Sequence, residues 1–181
     1  MSTRLLIATV GGSPEPLAAS LLHWRPSRSI FVVSTETKTA VASQLVPAVQ
    51  GAGWGDFDAG RYDLVEIVNA QDFSGIVARL RALDSRVQSW LHDHPGSEII
   101  ADFTGGTKAM TAGLALTAAR WPCQISYVGG TERTKDGVGI VVSGKEQIVH
   151  AQNPWDVLGL QAAEEAVILF NNGDFSSAVH L

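Results

Sequence analysis

The sequence predicts a doubly wound α/β fold: a mostly parallel sheet with helices on both faces, a C-terminal β-hairpin, and then the start of a helical segment. Three observations point there. Strand-like runs such as Leu5 to Val10 are apolar without alternation, which suits strands buried on both faces. Strand and helix patterns alternate four times before the hairpin. Glycine-rich turns stand where strands give way to helices.

Leu5 to Val10 predicts the first strand, ended by Gly11-Gly12-Ser13-Pro14. A helix follows over Glu15 to Trp24, with Leu17, Leu21 and Leu22 on one side and Pro16 in its first turn, where a missing N–H costs little. Ser29 to Ser34 is the second strand, and Thr35-Glu36-Thr37 starts a helix carrying Val41, Leu45, Val46 and Val49. Gly51 to Gly60, holding Trp54 and Phe57, reads as a loop. Tyr62 to Val68 is the third strand. Asp72-Phe73-Ser74 then opens one long helix towards His92, with Ile76, Leu80, Leu83, Val87 and Leu91 at helical spacing, and His94-Pro95-Gly96 ends it.

Glu98 to Phe103 is the fourth strand, and Lys108 to Trp121 a well-buried helix of Ala, Leu and Met. Gln124 to Val128 is the fifth strand, stopped by Gly129-Gly130. Val138 to Val142 and Gln147 to His150 form the hairpin about Ser143-Gly144-Lys145-Glu146. These elements make a Rossmann-like domain over residues 1–152. Residues 153–181 read as a linker and the first helices of a C-terminal region. Asn153-Pro154-Trp155 breaks the pattern, Leu160, Ala163, Val167, Ile168 and Phe170 resume it, and Phe175 opens a helix within which the sequence stops. That stop predicts a further domain beyond it.

Composition narrows the function classes. A chain of 181 residues suits one domain, and 45% hydrophobic residues permit a substantial core. The net charge of −5 argues against a grip on long nucleic acids, which draws its affinity from a basic face. The single cysteine, Cys123, excludes an internal disulfide and reads as a buried structural thiol. His23, His94, His150 and His180 show no metal-ligand spacing, so neither a metal nor another cofactor is expected. No window approaches the ~20 apolar residues of a membrane span. The N-terminus lacks a signal peptide, and the cytoplasm is expected.

Ligands of open α/β sheets bind beyond the carboxyl ends of the strands. Three glycine loops fall there: Gly11-Gly12-Ser13, Thr104-Gly105-Gly106-Thr107-Lys108 and Gly129-Gly130-Thr131. The second runs from a strand straight into a helix. Its glycines permit close backbone approach, the helix start supplies unpaired amides and partial positive charge, and Thr104, Thr107 and Lys108 add hydroxyls and a cation. That is a phosphate cradle. The alternative is a tight turn with an N-capping threonine and a solvated lysine. Gly11-Gly12-Ser13 alone is a weaker signal. Ser34 and Thr35 either cap the next helix or touch the ligand.

Two other patterns carry no function. Gly139 to Glu146 nearly spells a P-loop, but Glu146 stands where a Ser or Thr should bind magnesium, in a hairpin context. Arg86 with His92 resembles a HEPN ribonuclease pair, yet lies on a crossover helix and reads as a surface pair. No G-x-G-x-x-G follows the first strand, so a dinucleotide cofactor is unsupported.

Asp102-Phe103-Thr104-Gly105-Gly106-Thr107-Lys108-Ala109-Met110, with Gly113 following, resembles the signature of CARF domains, the CRISPR-associated Rossmann fold. Thr9-Val10-Gly11-Gly12-Ser13-Pro14-Glu15-Pro16-Leu17 resembles the matching first-strand motif, and the likeness covers about residues 3–150. The tail from Asn153 to Asp174 is similar to the linker and first helices of Csm-type effectors, in which a HEPN ribonuclease domain follows. The resemblance implies a homodimeric receptor for cyclic oligoadenylates, the second messengers of type III CRISPR antiviral defence. Cyclic tetra-adenylate is favoured, with the hexa-adenylate second, and the bound ring would regulate an attached effector. Carried onto this chain, the contacts are Gly11, Gly12, Ser13, Thr104, Gly105, Gly106, Thr107 and Lys108, with Ser34, Thr35, Gly130 and Thr131 in second rank. Some CARF domains are ring nucleases that cleave their ligand without metal, by 2′-hydroxyl attack. Lys108, Thr107 and Ser13 would then be catalytic. A third alternative is an unrelated Rossmann-like mononucleotide-binding protein.

Overall fold

The computed structural model describes residues 3–130, 146–157 and 159–180. Among these a six-stranded sheet runs in the order β3-β2-β1-β4-β5-β6, with β1 Arg4–Thr9, β2 Arg28–Ser34, β3 Tyr62–Ile67, β4 Glu98–Asp102, β5 Cys123–Gly130 and β6 Glu146–Gln152. The first five strands are parallel, and β6 is antiparallel to β5. This is the mostly parallel Rossmann-like sheet that the apolar runs predict.

Side-chain direction alternates along each strand, so one strand feeds two cores. Leu5 and Ile7 of β1, with Ile30 and Val32 of β2, join one cluster beneath α4 Phe73–Arg81, α5 Asp84–Asp93 and α6 Lys108–Ala118. Leu6 and Ala8, with Phe31 and Val33, join the other beneath α1 Pro14–Trp24 and a helical stretch from Lys38 to Gly51. That stretch comprises α2 Lys38–Ala40, a π-helical turn at Val41–Leu45 and α3 Val46–Gly51. Pro47 has no N–H for the carbonyl of Ser43. The helix widens there, and Val46 N–H bonds to Val41 O instead.

Two expectations are corrected. The predicted single helix from Asp72 to His92 is two, because Leu83 N–H closes a tight turn on Leu80 O at 2.8 Å and α5 restarts at Asp84. Its apolar stripe still works, since Ile76, Leu80, Leu83 and Val87 are all buried. Gly129-Gly130 does not stop β5. The antiparallel partner carries the strand through both glycines, pairing Gly129 with Gln147 and Gly130 with Glu146. β6 pairs with β5, while the predicted hairpin strand Val138 to Val142, most of the P-loop-like stretch and Thr131 lie outside the described residues.

The tail is tied down at its start. Asn153 is buried, and its Nδ2 donates to Ala118 O and Trp121 O, both at 3.1 Å, where α6 ends. Its Oδ1 accepts from Trp155 N–H, which leads into α7 Pro154–Val157. Helices α8 Leu160–Asn171 and α9 Phe175–Val179 follow, with Val167, Ile168, Phe170 and Phe175 exposed. Cys123 is buried as expected. Burial first, then the Asp156 charge, pushes its thiol up to about 12, so it is not a nucleophile.

Candidate functional site

The order in which strands are added reverses between β1 and β4. From β1 the chain winds outward to β2 and β3, and after the α4–α5 crossover it returns to β4 and winds the other way. The crevice beyond the carboxyl ends of two such strands is where open α/β sheets bind ligands. Here those ends carry Gly11-Gly12-Ser13 and Thr104 to Lys108. Each leads into an 11-residue helix, α1 and α6, so two helix N-termini border one crevice.

The two loops touch. A methyl added at Gly105 would lie 2.6 Å from Gly11 N and 2.7 Å from Thr9 O. Gly106 has φ +85°, and a methyl there would lie 2.9 Å from Thr9 Cβ. These two glycines are therefore required by the contact between loops before any ligand is considered. Thr9 Oγ1 (2.5 Å) and Thr111 Oγ1 (3.1 Å) both donate to Gly105 O and pin the loop.

Asp102 anchors the loop from beneath. It is fully buried at the end of β4, accepting from Ser20 Oγ of α1 at 2.5 Å and from Thr104 N–H at 2.8 Å. The threonines are spent largely within the fold. Thr104 Oγ1 accepts from Val128 N–H at 2.9 Å. Thr107 Oγ1 accepts from Met110 N–H and donates to Ala70 O at 3.0 Å, so the N-capping threonine of the alternative reading is real. Ser13 caps α1 by position without a side-chain cap bond. Lys108 is exposed at the first position of α6 and forms no ion pair among the described residues.

A shallow pocket of about 150 Å³ opens where the loops meet, with Gly11, Gly12, Ser34, Gly106 and Thr107 among its walls. The wall also holds Val10 and Met110 and two polar residues outside the expected site, Glu36 and Thr37, whose place just after a strand end is the one sequence signal for them. Ser34 and Thr37 close the turn there, Ser34 N–H to Thr37 Oγ1 at 2.9 Å and Thr37 N–H to Ser34 Oγ at 3.2 Å. Thr35 stands outside the pocket with its hydroxyl towards Glu66 at 3.4 Å. Gly130 lies at the far end of β5, and among the described residues no histidine lines the pocket. Amides and hydroxyls suit an anion; Lys108 follows Thr107 in the chain but is not on the pocket wall, and Glu36 is the one charged side chain among the wall's described residues. Arg86, in turn, pairs with Asp63 at 2.6 Å and does not meet His92 in a nuclease site. Among the described residues no three His, Cys, Asp or Glu side chains could hold a metal ion, and no helix is long and apolar enough to cross a membrane.

No family model matches the chain, and no curated protein sequence does. Solved structures do. Enterococcus italicus Csm6, bound to cyclic hexa-2′-fluoro-hexa-dAMP, superposes with TM-score 0.57 at 14% identity, over 99% of this chain and 49% of that one. Protein VC1899 from Vibrio cholerae gives 0.54 at 16% identity, over 70% and 30%. A type III CRISPR defence DNA nuclease activated by cyclic oligoadenylate gives 0.52 at 22% identity, over 72% and 19%. The chain thus spans half or less of the length of each. The likeness establishes a shared Rossmann-like fold.

Proposed function

We propose that this chain is a CARF-type sensor domain that binds a cyclic oligoadenylate, shared between two copies of the chain, and regulates an attached effector of type III CRISPR defence in the cytoplasm. The observation that carries it is the meeting of the two glycine loops at the β1–β4 reversal, with two helix N-termini bordering one crevice. The motifs at those loops resemble CARF signatures, and two proteins of the same fold are described with ligands of this class. Gly11, Gly12, Ser13, Gly106, Thr107 and Lys108 form the first rank of contacts. Thr104 and Gly105 shape the loop, and Ser34, Thr35, Gly130 and Thr131 form the second rank, of which Ser34 lines the pocket. Residues 153–181 begin the region that joins the effector, of the HEPN type that the tail resembles.

The pocket volume supports sharing. The pocket, about 150 Å³, is shallow and open, so a ring of four or six nucleotides would reach beyond its walls. A ring that fills one such pocket leaves most of its surface for a second copy. Titrating the protein calorimetrically with cyclic tetra-adenylate, cyclic hexa-adenylate and ATP tests the reading. The tetra-adenylate should bind best, and a preference for ATP would favour an ordinary mononucleotide-binding domain.

The second reading, a ring nuclease, draws on Ser13 and Lys108, whose polar groups have no side-chain partner among the described residues. Thr107 is less free, since its hydroxyl already donates to Ala70 O. Incubation with cyclic tetra-adenylate separates the readings: linear products mark the nuclease, and intact bound ring the sensor.

A further inference from the structure

The carboxylate of Glu36 is out of place in an anion pocket. It sits on the wall with Gly11, Gly12, Gly106 and Thr107. The turn around it does not need it, because Ser34 and Thr37 satisfy each other's amides. Its own protein contact is a weak one from Ser34 Oγ at 3.3 Å. Among the described residues no cation pairs with it. Lys38, two residues on, is taken by Glu66 at 2.6 Å, and that hydrogen bond holds the Glu66 carboxyl below its usual range.

A carboxylate only accepts hydrogen bonds, and it repels phosphate. It therefore weakens binding of any phosphorylated ligand that brings no donor to it, and so discriminates among ligands. An oligoadenylate brings two kinds of donor, the free ribose hydroxyl and the adenine amino group. In dinucleotide-binding Rossmann folds, whose glycine fingerprint this chain lacks, an acidic residue about 20 residues past that fingerprint takes the ribose 2′-hydroxyl. Glu36 stands two residues past Ser34, the last residue of β2.

We propose that Glu36 is the specificity residue of this site, accepting the 2′-hydroxyl of a bound adenylate and so selecting ribo- over deoxyribonucleotide rings. This rests on the proposed function. The test measures affinity for cyclic tetra-adenylate, its 2′-deoxy counterpart and cyclic tetra-inosinate, which lacks the amino group, on the wild type and on Glu36→Ala. Glu36 is exposed, and equal melting temperatures check that the variant folds. The wild type should prefer the ribo ring over the deoxy ring by about tenfold or more, the usual worth of a hydrogen bond to a charged group. Glu36→Ala should narrow that ratio to about twofold and leave the adenine-to-inosine ratio unchanged. A ribo-to-deoxy ratio that survives Glu36→Ala overturns the inference, as does a narrowing of the inosine ratio instead. If the wild type binds no ring at all, the proposed function falls and this inference with it.

Discussion

A methyl group added at Gly12 meets nothing within 4 Å, whereas one added at Gly105 meets backbone at 2.6 Å. The two glycines look alike in sequence and have different work. Gly12→Ala should leave the melting temperature unchanged while weakening cyclic tetra-adenylate binding, because its methyl would enter the ligand's space. Gly105→Ala should lower the melting temperature as well, at an overpacking cost of about 1–3 kcal/mol. Thermal melts beside titrations of both variants check this. Lys108→Ala should keep the fold and lose about 1.5–3 kcal/mol of binding, roughly ten- to hundredfold in affinity. Unchanged affinity would remove Lys108 from the site. The loop itself was legible in the sequence from its glycines, threonines and lysine. The reason for Gly105 and Gly106 was not, since it depends on Thr9 and Gly11 lying alongside, a neighbour relation set by strand order. Glu36 had only its place just after β2 to mark it, since what brings it to Gly11 and Gly106 is again strand order.

At the scale of elements, β2, β3 and α5 are joined by Asp63, which accepts from Arg28 at 2.8 Å and Arg86 at 2.6 Å. Partial burial alone would raise the Asp63 carboxyl, but hydrogen bonds and charge from Arg28 and then Arg86 outweigh it and hold the carboxyl below its ordinary 3.8. A lowered carboxyl contributes stability above its unfolded value and loses it as pH falls through the folded one. On acidification from about pH 5, the wild type should therefore lose more stability than Asp63→Asn, as followed by denaturant unfolding at each pH. Equal losses would show that the pair contributes nothing measurable. Helices α4 and α6 meet at Gly113, where a methyl would lie 2.7 Å from Ile76 Cγ2. Gly113→Val should destabilise by about 1–3 kcal/mol through overpacking, seen as a lower melting temperature. The apolar spacing that reveals a helix carries no marker of where two helices divide, so the break before Asp84 went unread. The strand through Gly129 and Gly130 was likewise hidden, because glycine disfavours a strand locally and only the β6 partner overrides it.

For the whole molecule, unalternating apolar strands and regular alternation with helices were enough to specify a doubly wound sheet, because those patterns follow from burial on two faces. The order of the strands places the reversal between β1 and β4, and that order turns two separate glycine loops into one crevice. The most direct measurement is a calorimetric titration of the protein with cyclic tetra-adenylate at known chain concentration. Saturation is expected at about one ring per two chains, with ATP bound more weakly. The absence of binding by any cyclic oligoadenylate, or tighter binding of ATP at one per chain, would contradict it.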